Sequence, residues 1–206
     1  MKRIASVLIG LLVVVSYVDA QTKSPKINWQ IRTNGLYDLA ACPNVGIELQ
    51  TASGVAFQAD YIGAWWNSDE RHIYYSNYGV QVELRYYIAA TECKNATLTY
   101  SGSHIGLYGQ MATFDFEFGG TGYMNKRLDG SIGIGVSYGY SKKLNERWML
   151  DCTIGIGYFS TDYDRYEPMD DVYGQNHYIR TQSNRLNFFG PTKIEISMVW
   201  NINHKK

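Results

Sequence analysis

The chain has 206 residues, with 19 basic and 19 acidic side chains, 18 tyrosines, 20 glycines and only 4 prolines. This charge balance gives no reason to expect nucleic acid as a partner, and a soluble helical domain would hold more Ala, Leu, Glu and Lys. Composition therefore favours a single all-β domain.

The first twenty residues have the pattern of a secretory signal. Lys2 and Arg3 precede an apolar run at 4–15, and Ala20 closes the segment, so cleavage is expected before Gln21. No later run approaches the roughly 20 apolar residues that a helical span needs. We therefore predict a signal peptide at 1–20 and a mature domain at 21–206, which enters a membrane only as a closed β-barrel.

Eight later segments alternate apolar and polar residues with the two-residue period of a strand. In chain order they are 27–34, 44–51, 55–61, 77–88, 104–116, 132–141, 148–158 and 193–202. The fifth fits least well, because Phe114 and Phe116 share a face with His104. Tight links near Ser53 and Leu144 alternate with longer ones, although the link at 89–102 is longer than this pattern prefers.

These segments predict an eight-stranded antiparallel up-and-down transmembrane β-barrel with both termini in the periplasm. A soluble periplasmic lipocalin-like barrel that binds a small ligand has the same period, with its apolar face inward. Aromatic residues favour the membrane, because Trp29, Tyr86, Trp148 and Trp200 fall near the predicted inner strand ends. We expect outer-membrane lipid around the apolar face and a location in the cell outer membrane.

The opposite faces carry charged residues among small ones. The predicted lumen charge network consists of Arg32, Glu48, Asp60, Glu83, Arg85, Lys193 and Glu195. Uncompensated charge inside a narrow barrel is costly, so we expect these side chains to form a mutually compensating plug. The alternative is a narrow polar conduit or a small-ligand site, for which eight strands leave little bore.

One grouping resembles a hydrolase triad. His104 with Ser103 and Glu83 would suit a lipid-modifying barrel enzyme, but no Gly-x-Ser-x-Gly motif accompanies it, and we place His104 at the rim. The other histidines lack metal-ligand spacing. We therefore predict a non-enzymatic protein without catalytic residues, cofactor or metal.

The three cysteines are an odd number for an oxidising compartment. The predicted topology places Cys42 on the outer rim, Cys93 in an inner turn and Cys152 on the lipid-facing side of a strand. Three free thiols are the favoured prediction, and a bridge between Cys93 and Cys152 is the alternative.

The longest predicted link, between Asp162 and Asn187, is acidic and rich in tyrosine. Its candidate surface-binding residues are Asp162, Tyr163, Asp164, Tyr166, Asp170, Asp171 and Tyr173. Long connections without regular structure are usually functional or disordered. We expect this loop to bind a surface protein, a glycan or a cation, although its aspartates lack the spacing of a calcium loop. A solvated loop without a partner is the alternative.

Four motifs in a fixed order carry a family resemblance: TNGLYD at 33–38, PNVGIE at 43–48, ELRYY at 83–87 and FGPTK at 189–193. Together they resemble the domain of unknown function 3575 family, secreted proteins of Bacteroidetes-type bacteria, over about residues 28–200. The resemblance implies an outer-membrane-type barrel, no assigned activity and, in some members, association with fimbria-like surface proteins. Many relatives carry cysteines just after the position of Glu167, where this chain has Pro168 and Met169; because of this departure from the family pattern, a loop disulfide is not expected here.

Overall fold

The alternating segments form the strands of one antiparallel sheet. The computed structural model describes residues 27–51, 53–68, 73–88, 100–118, 121–125, 130–170 and 176–202, so the predicted signal peptide and Cys93 lie outside the described residues. The strands are β1 (Asn28–Asn34), β2 (Asn44–Gln50), β3 (Val55–Ser68), β4 (Ile73–Tyr87), β5 (Gly102–Phe118), β6 (Thr121–Met124), β7 (Ser131–Lys143), β8 (Trp148–Asp170) and β9 (Asn176–Asn201).

The sheet closes on itself in a ring. Its order is β1–β2–β3–β4–β5–β7–β8–β9, and β9 returns to β1 through the pairs from Gln30↔Asn201 to Asn34↔Ser197. The all-β antiparallel prediction is confirmed, but the described part of the chain contains nine strands rather than eight. The additional strand, β6, pairs with residues 115–118 of β5 and residues 164–166 of β8. It is too short to show an alternating pattern.

The two ends of the ring differ in construction. We name the end with Asn28, Asn201 and the tight turn at Gly54 the inner end, and the opposite end the outer end; the φ of +80° at Gly54 suits glycine. The outer end carries a short helix, α1 (Gly35–Leu39), which begins where the side chain of Asn34 accepts a hydrogen bond from the Leu36 amide. None of the described helical residues belongs to a segment with the length and hydropathy of a membrane-spanning helix.

The predicted unstructured link between Asp162 and Asn187 is wrong. β8 continues to Asp170 and β9 begins at Asn176, with pairs such as Asp162↔Arg185 along the way. These extensions form the outer hairpin, which we define as residues 160–170 and 176–189. The hydrophobic period fails there because both faces of the hairpin are largely open to solvent, so neither face has to be apolar.

The ring has a polar interior and an apolar exterior, as the alternation predicted. Arg32 is 2% exposed inside, whereas Val136 and Ile194 are each 63% exposed outside. Inward glycines make room for the large polar side chains. A Cβ at Gly106 would collide with the Glu83 carboxylate, and one at Gly139 would collide with the His104 ring.

Candidate functional site

Eight charged side chains from six strands meet inside the ring. We name this group the interior charge cluster: Arg32, Glu48, Asp60, Glu83, Arg85, Asp151, Lys193 and Glu195. Pairs of inward positions two residues apart, such as Glu83 with Arg85 and Lys193 with Glu195, supply neighbouring charges from one strand. The structure brings all seven residues of the predicted network together and adds Asp151.

Arg32, on β1, contacts side chains of four other strands: β2, β3, β8 and β9. Its Nη1 atom lies 3.1 Å from Glu48 Oε2 and 3.2 Å from Asp151 Oδ2, and its Nη2 atom lies 3.2 Å from Glu195 Oε2. It also donates to the side-chain oxygen of Gln58 at 2.8 Å. A fully buried guanidinium is thus surrounded by acceptors, which is the condition for burying a charge without a large penalty.

Arg85 and Lys193 both bind Glu83, and they share Asp151 and Glu195 with Arg32. Arg85 Nε lies 2.8 Å from Glu83 Oε2, and its Nη1 atom lies 2.5 Å from Asp151 Oδ2. Lys193 Nζ lies 2.6 Å from the same Glu83 oxygen and 3.3 Å from Glu195 Oε1. Every cation therefore contacts at least two carboxylates, and these contacts cross-link the interior from wall to wall.

The carboxylates of the cluster outnumber its cations. Arg32, Arg85 and Lys193 face five acidic groups, and neutral donors supply part of the remaining stabilisation. Gln81 donates to Glu195 at 2.6 Å, and the hydroxyl of Tyr87 donates to Glu48 at 2.9 Å. Because five carboxylates share three cations, each cation stabilises more than one carboxylate.

The triad-like grouping of Ser103, His104 and Glu83, which belonged to the enzyme alternative, is not assembled. His104 is buried in the interior rather than at the rim, and its Nε2 atom lies 3.0 Å from Asp151 Oδ1. Ser103 directly precedes His104 on β5, so its side chain points outward. Its hydroxyl lies 3.1 Å from that of Tyr138. The two side chains lie on opposite faces of the sheet.

The acidic residues of the candidate loop pair across the outer hairpin. Arg185 Nε lies 2.5 Å from Asp162 Oδ1 and its Nη2 atom lies 2.8 Å from Oδ2, and this hydrogen-bonded contact raises the pKa of Arg185. Asp164 accepts a hydrogen bond from Ser183 and lies 3.6 Å from Arg180. In the part of the chain described, no group of three or more His, Cys, Asp or Glu side chains is arranged to hold a metal.

A cleft of about 340 Å³ lies at the base of the outer hairpin. Asp162, Tyr163 and Asp164 line one side, and the Tyr163 ring lies 6.0 Å from that of Tyr123. The other lining residues are Met124, Asn125, Gly130, Ser183, Asn184 and Arg185. The cleft combines an ion pair, an amide and an aromatic ring, which are groups that bind polar ligands.

The remaining candidate residues are dispersed or undescribed. Tyr166 pairs with Gly122 in the β6–β8 ladder, beyond the cleft. Asp170 ends β8, but its side chain lies outside the described residues, as do Asp171 and Tyr173. The sequence missed Arg185 as a cleft residue, because only the strand register places it opposite Asp162.

Cys42 and Cys152 are both free thiols. Cys42 lies at the outer end, as predicted, but it is buried, with Sγ 2.7 Å from the Tyr75 hydroxyl. Nearby, burial and the negative charges of Glu195 and Asp60 raise the pKa of Tyr37 to about 12. Cys152 points outward, as predicted.

These features define a closed-ring antiparallel β-protein with a charged interior and an apolar exterior. The chain belongs to the family described as Protein of unknown function (DUF3575), whose model matches residues 7–202. No curated protein and no solved structure matches the chain. The FGPTK motif of the resemblance lies at an irregularity of β9, where Thr192 has no partner residue on β8 between the pairs of Pro191 and Lys193.

Proposed function

We propose that this chain is a non-enzymatic outer-membrane protein: an eight-stranded transmembrane β-barrel with β6 as a short outer addition. Its role is structural and includes binding of a surface partner. The outer hairpin and the adjoining cleft contact that partner, a surface protein or a glycan. Fimbria-like proteins are the surface partner that the family resemblance suggests.

The observation that carries the proposal is the apolar exterior, which is present on all eight strands of the ring. Exposed outward side chains include Trp29, Ile47, Tyr61, Val80, Leu107, Ile134, Ile156 and Ile194. Monomeric soluble proteins rarely expose a contiguous apolar patch larger than a few hundred Å². An apolar band on every side of a closed ring is the surface that lipid requires.

The interior argues against the lipocalin-like alternative. A soluble barrel buries its apolar face inside, whereas this interior holds the interior charge cluster and residues such as Gln50 and Gln58. The cross-linked charges also favour a plug over a conduit, because they occupy the bore of a ring of this size.

Aromatic residues at the inner end support the proposed orientation, in which this end faces the periplasm. The rings of Trp148 and Trp200 lie 6.5 Å apart and point outward, on the same end of the ring as Trp29 and Tyr86. Such a girdle is typical of the level where lipid headgroups meet water. The opposite end carries the longer strand extensions, which matches the external side of outer-membrane barrels.

Fractionation of cells that express the chain tests the proposal. We expect recovery in the outer-membrane fraction and faster gel migration of the unheated sample than of the heated one, because closed barrels resist detergent. Recovery as a free periplasmic protein would overturn the membrane assignment.

A further inference from the structure

The wall of the ring is much lower at β1 and β2 than on either side. The β1–β9 ladder ends at Asn34↔Ser197, and the β2–β3 ladder ends at Asn44↔Ile62. β9 nevertheless extends outward to Asn176, and β3 extends to Ser68. We name the resulting gap the notch, bounded by residues 176–195 of β9 and residues 63–68 of β3, with α1 at its base.

β9 presents an open edge to the notch. Outward of Ile196, whose amide donates to the Asn34 side chain at 3.3 Å, the described residues of β9 form a ladder with β8 alone. Residues 180–189 are all exposed. Alternate backbone N–H and C=O groups along this edge point toward the notch, and such an edge is a template for another strand.

Apolar side chains flank the edge on both faces. Leu186 and Phe188 lie on one face, and Phe189, which is 76% exposed, lies on the other. Pro191 has no N–H and the irregularity at Thr192 follows it, so regular pairing ends at this point. The open edge therefore has a defined inner limit and apolar contacts for the alternating side chains of a partner strand.

We propose that the notch edge of β9, residues 180–190, is a strand-addition site that takes an extended segment of a second protein. This inference rests on the proposed function, which places the notch at the cell surface. An extended polypeptide is the occupant whose backbone repeats N–H and C=O groups at the spacing of this edge. The added strand runs antiparallel to β9, because all the strand pairs of the ring are antiparallel.

A second copy of this chain in the same membrane does not suit the edge. Both copies of β9 would run from the outer to the inner end and would have to pair in parallel. A two-fold axis along the membrane normal sets identical residues at equal height, whereas a parallel ladder staggers them. The occupant is therefore a different protein.

The test uses a library of random dodecapeptides displayed on phage, selected on the full chain in detergent micelles. The selected peptide is then synthesised in two forms, with N-methyl groups on the odd or on the even amides. Strand addition predicts that one form binds at least tenfold more weakly than the other, because alternate amides face β9. Equal binding by the two forms, or a selection without binders, would overturn the proposal.

Matched variants locate the bound peptide. Leu186→Ser with Phe188→Ser should weaken binding at least tenfold, whereas Phe159→Ser, which pairs with Phe188 one strand away from the edge, should change it less than threefold. Gel migration of the unheated samples checks that each variant is folded. Equal effects of the two variants would place the peptide elsewhere and overturn the proposal. This assay uses purified chain, so its outcome is independent of the fractionation test.

Discussion

Arg85 Nη1 and Asp151 Oδ2 lie 2.5 Å apart inside the ring, although two strands, β5 and β7, separate their strands along the wall. Asp151 also accepts from Arg32 and contacts His104. One carboxylate therefore connects β1, β4, β5 and β8 through the interior. This relationship makes the interior charge cluster a cross-link between distant parts of the wall rather than a set of neighbouring pairs.

The excess of carboxylates predicts unequal effects of removing the two kinds of charge. Arg85→Gln should lower the free energy of unfolding by about 3–5 kcal/mol, because it leaves buried carboxylates uncompensated. Glu48→Gln should cost less, because it removes negative charge from a cluster that has too much. Urea unfolding in lipid vesicles measures both. A larger loss for Glu48→Gln would contradict the charge imbalance.

The apolar band predicts where an outward arginine is tolerated. Val82 points outward on β4, and Val82→Arg should cost about 2–4 kcal/mol if the residue lies near the bilayer midplane. Ile179→Arg is the control, because Ile179 is exposed on the outer hairpin, beyond the band. Folding yield into lipid vesicles should fall for Val82→Arg alone. Equal yields would show that the band does not contact lipid.

The raised pKa of Tyr37 predicts a loss of stability at alkaline pH. The phenol ionises at about 12 in the folded chain rather than near 10, so folding favours its neutral form. This contribution is complete below pH 10 and disappears as the pH rises from 10 to 12. Stability measured by urea unfolding should decline less over that range in Tyr37→Phe than in wild type. Identical declines would show that Tyr37 is not held neutral by its surroundings.

The outer hairpin should be separable from the ring. Replacing residues 165–182 with a short Gly/Ser link keeps the Asp162–Arg185 contact and all the ring strands, so gel migration should still depend on heating. The same change should weaken cross-linking of surface partners in intact cells, because it removes the outward part of the hairpin but leaves the cleft and residues 183–190 in place. Normal assembly with an unchanged set of partners would show that residues 165–182 do not bind those partners.

The sequence by itself determined the strands of the ring and the direction of their side chains. A one-residue slip would expose Glu83 and Arg85 and bury Val82 and Leu84, so the register of β4 has a single solution. The same logic assigned seven members of the interior charge cluster, because charged residues at alternate positions of a two-faced strand must share the face opposite the apolar series.

Only the tertiary structure decided which of those charges meet, and where the strands end. Asp151 lies among small inward residues on β8 and gains its role from Arg32 and Arg85, which ring closure brings to it. His104 was predicted at the rim, but the structure places it in the interior. The outer hairpin has few buried side chains among its described residues, so no hydrophobic period marks its strands, and the pairing of β8 with β9 and β6 determines its shape.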